Sequence, residues 1–148
     1  MAYADSGSYL NPTSAWRDAN LLQRFGNAIT AHGVLNLRNA VHSADFGPIE
    51  EGCRCVCCRS SADGGLGITR AYIYHVTAKE TAGAHLLTMH NVHYQLDLMR
   101  RAREAIIEDR YPAFVKDFFA ALYDNSSKYP DWAVNALRGV GVDLRGNE

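Results

Sequence analysis

The stretch Cys53-Arg54-Cys55-Val56-Cys57-Cys58 holds every cysteine of this 148-residue chain, and its reading decides what kind of fold surrounds it. Disulfides within so short a segment would close tiny, strained loops that stabilise little. The Cys-x-Cys-x-x-Cys spacing of Cys53, Cys55 and Cys58 instead lets three thiolates turn inward on a tight loop and occupy three corners of a tetrahedron around zinc. Using the adjacent Cys57 as well as Cys58 on one ion would strain the backbone, and structural sites usually draw their ligands from two separated segments. The fourth donor is therefore sought downstream, among His75, His85, His90 and His93. Helical geometry leaves that choice open, because His85 and His93 sit near an apolar stripe and His90 on its flank. Buried thiols without metal are the competing reading, and Glu51, Arg54 and Arg59 beside the cluster suit a loop better than a core. Three thiolates and an imidazole leave no vacant position for water, so the expected zinc is structural and generates no hydroxide nucleophile.

Outward from that loop the chain has the texture of one modest folded domain. Hydrophobic residues make up 47% and charged residues 21%, far from a disordered composition. The length leaves no room for a complete (β/α)-barrel of roughly 250 residues. Net charge is -1 with acidic and basic residues mixed throughout, so no basic tail advertises nucleic acid. No stretch is long and apolar enough to cross a membrane, and the amino terminus lacks a leader pattern, so a cytoplasmic chain is expected.

Upstream of the cysteines, Ala28-Ile29-Thr30 and Val34 to Arg38 flank Ala31-His32-Gly33 and predict a β-hairpin. Residues 1–22 are rich in Ser, Ala, Asn, Asp and Gly, and are expected to be a divergent, flexible segment. Downstream, Ser60 to Gly67 reads as a Gly-rich loop, and Arg70 to Ala78 fits helix or strand equally well. Leu86, Met89, Val92, Leu96, Met99, Ala102 and Ile106 recur at steps of three and four, which predicts one long helix with an apolar stripe. A second helix is expected from Pro112, presenting Phe114, Phe118 and Leu122 on one face, with Phe119 also needing cover. Pro130-Asp131-Trp132 opens a last apolar segment through Leu137 that stops at Gly139 and Gly141.

Several of these segments together resemble the carboxy-terminal part of the tRNA-guanine transglycosylase (queuine tRNA-ribosyltransferase) family, eukaryotic type. They are Arg24-Phe25-Gly26-Asn27-Ala28, Gly33 to Ala40, Asp45 with Pro48-Ile49, the cysteine loop, Leu87-Thr88-Met89-His90-Asn91, and Pro130 to Val142. The resemblance runs in order from about Gln23 to Leu144 and defines residues 23–144 as the zinc-binding carboxy-terminal region. It implies an α/β fold, the terminal portion of a TIM barrel with a zinc-binding subdomain and mainly helical after the zinc loop. It also implies that Cys53, Cys55, Cys58 and His90 hold a structural Zn2+. Cys57 then has no assigned role, and Ala62 to Gly67 is the place for residues beyond the family's usual spacing.

Members exchange the wobble guanine of tRNA for queuine or a related deazaguanine, through an aspartate nucleophile and a covalent tRNA intermediate. Neither catalytic aspartate is recognisable here: Asp18 has the right chemistry in the wrong surroundings, so no catalytic residue is carried over. Arg24 alone matches the family's tRNA-recognition loop. The expectation is a chain inactive alone, whose partners are tRNA, through the full enzyme, and a second transglycosylase subunit as homo- or heterodimer. An alternative is a stand-alone zinc-stabilised module that binds a transglycosylase subunit or RNA without catalysis. A third is an active enzyme assembled with another chain that supplies the barrel and the nucleophile.

Overall fold

A computed structural model describes residues 9–10, 26–77 and 81–146. It divides into two compact units, Met1–Asp97 and Leu98–Glu148. In the first, β2 (Asn27–Thr30) and β3 (Gly33–Asn36) form the expected hairpin, with Ala28 opposite Leu35 and Ile29 opposite Val34. Gly33 closes the turn at φ +111°, a conformation that a side chain would oppose. The short strand β1 (Tyr9–Leu10) pairs antiparallel with the other edge of β3, so the sheet order is β1-β3-β2. Of residues 1–22, expected to be flexible, only these two are described. Beyond β3, the Leu37 N–H donates to the Gly26 carbonyl and ties the hairpin shut.

The segment left open between helix and strand is α1 (Arg70–Thr77). Its start is set by the Thr69 hydroxyl, which accepts the Tyr72 N–H, a local bond that favours a helix N-terminus. Ile73 is wholly buried in a core with Ala28, Leu35, Leu37, Ile49, Cys55, Cys57 and Leu87. The long helix is present as α2 (Thr81–Ile107). Its buried face, however, is not the expected stripe. Leu87, His90, Asn91, Tyr94, Leu98 and Ala105 are covered, whereas Met89, Val92, Leu96, Met99 and Ile106 are exposed, Leu96 by 67%. The apolar period selects the wrong face because the polar residues His90 and Asn91 are buried for the bonds they make.

The second unit contains the end of α2, then α3 (Tyr111–Leu122) with Pro112 in its first turn and α4 (Asp131–Gly139). The first lies where the sequence places it, and the last apolar segment is helical. Their core joins Val115, Tyr123, Tyr129, Val134, Val142 and Leu144, with Phe114, Phe119, Leu122 and Leu137 packed against it. Phe119 finds its cover by stacking on Tyr123 and meeting Tyr129 edge to face, with centroids 5.9 and 5.5 Å away.

Candidate metal centre

The cysteine loop folds as a tight double turn. The Arg59 N–H donates to the Cys55 carbonyl at 3.0 Å, and the Cys58 N–H points at the Cys55 sulfur at 3.3 Å. The Gly-rich loop folds back along it: the Leu66 and Ile68 N–H groups donate to the Val56 and Cys57 carbonyls, both at 2.8 Å. Gly65 is required there, since a Cβ would lie 2.1 Å from the Arg59 carbonyl oxygen. The expected insertion is thus an ordered brace under the turn.

Cys53, Cys55, Cys58 and His90 converge, with their ligand atoms all within 4.8 Å of one another. His90 Nδ1 lies 3.8, 3.6 and 3.4 Å from the three sulfurs in that order. With Zn–S near 2.3 Å and Zn–N near 2.0–2.1 Å, a tetrahedral centre sets its N···S edges at about 3.6 Å. The residues therefore fit a four-coordinate zinc. The other ring nitrogen, Nε2, is 2.9 Å from the Ile29 carbonyl oxygen. A carbonyl only accepts, so Nε2 carries the proton and the Nδ1 lone pair is available toward the sulfurs in the neutral ring.

The donors of the cluster hold and share protons among themselves. Burial would lower the His90 pKa, but hydrogen bonds with Cys53 and Cys55, the bond to Ile29 and the charge near Cys53 outweigh it and hold the ring up to about 10, so an incoming metal ion must displace the Nδ1 proton to gain that lone pair. The neighbouring sulfurs, Cys53 first, pull the Cys55 thiol far below the ordinary range. The same crowding pushes Cys58 up, by way of Cys53 and Cys55. Sulfurs packed this closely share negative charge that a divalent ion can neutralise.

Cys57 is excluded from the cluster, as the spacing suggests. It is fully buried, and its thiol donates to the Leu86 carbonyl at 3.3 Å. Its pKa is raised, first by the neighbouring Cys55 and then by burial, so it stays a thiol. Among the other histidines, His75 Nε2 faces the Ser43 carbonyl at 3.1 Å, His85 is exposed and His93 half-buried, and none joins the cysteines. Far from lying on a flank, His90 is at the centre of the buried face of α2 and has no exposure. Arg24 and Asp18 lie outside the described residues.

Asn91 is the site residue that the sequence reading passes over. An Asn directly after a ligand His on a buried helix face is the sequence signal that points to it. His42, also unassigned, is buried with Nδ1 3.4 Å from Asp45 Oδ2. Among the described residues no helix is long and apolar enough to cross a membrane.

Comparison with known proteins gives the site its context. The family model described as Queuine tRNA-ribosyltransferase matches residues 19–124. The chain is 57% identical over 122 residues to the queuine tRNA-ribosyltransferase catalytic subunit of Schizosaccharomyces pombe, covering 82% of this chain and 30% of that protein. It is 35% identical over 135 residues to the catalytic subunit of Caenorhabditis elegans, covering 82% and 32% of the two chains. With the queuine tRNA-ribosyltransferase of Desulforudis audaxviator, identity is 44% over 101 residues, covering 68% and 25%. The chain thus spans about a third or less of these relatives' lengths. It belongs to the queuine tRNA-ribosyltransferase family.

Proposed function

We propose that, as a member of this family, the chain supplies the structural zinc region of a transglycosylase that exchanges wobble guanine for queuine in tRNA. The observation that carries this reading is the convergence of Cys53, Cys55, Cys58 and His90 from two separated segments, with their donor atoms within 4.8 Å of one another. When bound, zinc supplies cross-linking and charge neutralisation. Four protein donors fill its coordination, so base exchange would not use it as a Lewis acid. The residues themselves do the rest: the double turn aims three sulfurs, and α2 brings the imidazole against the hairpin.

The exposed stripe of α2, Met89, Val92, Leu96, Met99 and Ile106, supports placing the chain as the closing part of a TIM barrel. Contiguous exposed apolar surface of this kind marks a face made for burial against protein. In this proposal it covers barrel strands supplied by the remainder of the enzyme, which also carries the aspartate nucleophile and most of the tRNA contacts. Arg24 adds one contact to tRNA, and a second transglycosylase subunit, identical or different, completes the assembly. Reduced thiols suit a cytoplasmic setting.

The reading is tested by elemental analysis of reduced protein together with a base-exchange assay using labelled guanine and tRNA. Stoichiometric zinc and no exchange by the chain alone are expected. Exchange by the chain alone overturns the division of labour, and absence of zinc overturns the metal centre.

A further inference from the structure

The fourth ligand of the candidate centre does not stand alone on its helix. His90 and its neighbour Asn91 are both buried, at 0% and 2% exposure. Adjacent helical residues point about 100° apart and rarely share a face. Here both reach one object, the edge of β2 that no strand among the described residues covers. His90 Nε2 donates to the Ile29 carbonyl at 2.9 Å. The Asn91 side chain pairs with the same edge just N-terminal to that bond: Oδ1 accepts the Ile29 N–H at 2.8 Å, and Nδ2 donates to the Asn27 carbonyl at 3.0 Å. One carboxamide thus does what a neighbouring strand would do, satisfying a donor and an acceptor two residues apart.

Resting on the zinc reading above, we infer that Asn91 is the positioning residue of this centre: its amide fixes the β2 edge so that the Ile29 carbonyl holds the His90 ring with Nδ1 toward the three sulfurs. The chemistry explains the residue type. A carboxamide of this length offers an acceptor and a donor on two separate atoms side by side, which a hydroxyl's single oxygen does not. An Asp would keep the Ile29 N–H bond and set a carboxylate oxygen against the Asn27 carbonyl. An Ala would leave both backbone groups buried without partners. Metal-ligating histidines depend on such outer hydrogen bonds for ring orientation, and losing them typically weakens metal binding by about 10- to 100-fold.

The test uses the full chain, with zinc affinity measured by competition against a chromophoric chelator and the His90 ring followed by nitrogen-15 NMR. Asn91→Ala is expected to bind zinc about 10- to 100-fold more weakly and to lose its slowly exchanging Nε2–H signal, with Asn91→Asp falling between it and the parent. The buried-core control Ile73→Val should retain both the affinity and the ring signal. Unchanged affinity and an unshifted ring signal in a folded Asn91→Ala overturn the inference. Should that variant need zinc to fold, folding only at raised zinc supports the inference. Failure of both Asn91 variants to fold at saturating zinc overturns it in favour of a purely structural role. A parent chain that takes up no zinc defeats the metal reading itself, whereas a zinc-loaded parent with indifferent Asn91 variants defeats only this inference.

Discussion

The two compact units of this chain bury different chemistry. The first, Met1–Asp97, packs its apolar residues around two cysteines and encloses an imidazole and a carboxamide, each with a defined partner. The second, Leu98–Glu148, encloses rings: Phe119, Tyr123 and Tyr129 contact one another in stacked and edge-to-face pairs. His90 and Asn91 can be buried in the first because their bonds to the β2 edge are directional and satisfied, whereas the second depends on area and close packing. The difference teaches where a bound ion matters. A centre of three thiolates and one imidazole is a cross-link between the cysteine loop and α2, and the aromatic core contains nothing for such an ion to hold.

The sharpest way to break that contrast is to remove the metal. Chelation, or Cys58→Ala, should cost the first unit on the order of 10 kcal/mol, comparable with the entire stability of a domain. Hydrogen exchange should then accelerate at the amides of Ile29, Leu66 and Ile68 while Val134 and Tyr123 keep their protection. Equal loss in both units, or none in either, breaks the comparison. Cys57→Ala should retain zinc, since that thiol donates to Leu86 instead of joining the cluster. The converse experiment is Tyr129→Ala, which opens the aromatic core at a loss of about 3 kcal/mol. Thermal melting should register that loss with zinc content unchanged; a variant that sheds zinc would show the two units to be one.

What could be read from the sequence follows the same division between local and distant causes. The hairpin was legible because its turn and its alternation are encoded within ten residues, and the cysteine turn because three thiols at that spacing have one economical use. The face of α2 was not. Counting apolar residues treats His90 and Asn91 as solvent-facing, so the period settles on Met89, Val92 and Leu96, which are exposed. The residues that decide the matter, Asn27 and Ile29, are more than sixty positions away, and their contribution is a backbone edge that no side-chain pattern reveals. Likewise Arg70–Thr77 resolved into a helix through the Thr69 cap and a cover over Ile73 that only the fold provides. The resemblance named His90 where periodicity could not, but it carried no reason; the ring's bond to Ile29 is that reason.

A smaller effect sharpens the account of the first unit. Gly65→Ala forces a Cβ against the Arg59 carbonyl, and the displaced loop should cost about 1–3 kcal/mol. Because Leu66 and Ile68 donate to the cysteine turn, zinc release measured against a chelator should quicken in this variant. Unaltered release would mean that the loop merely decorates the turn.

The smallest predicted effect tests whether an ordinary ion pair adds to a unit cross-linked by metal. Asp45 accepts from the Gly47 N–H at 3.0 Å and from the Arg70 guanidinium at 3.2 Å. Partial burial alone would raise its pKa, but the Gly47 bond and Arg70 outweigh it and hold the carboxyl below the ordinary aspartate range. A depressed folded-state pKa stabilises above the unfolded value and loses that contribution as pH falls through the folded one. Asp45→Asn should therefore cost about 1 kcal/mol at pH 7, with the gap between variant and parent closing below about pH 4. Proton competition for the cysteine ligands weakens both proteins alike as the pH falls, so the difference in urea midpoint is the readout. A difference that persists undiminished at pH 3 would place the cost in lost packing around Arg70 instead of in charge, and the metal would then be the unit's principal electrostatic support.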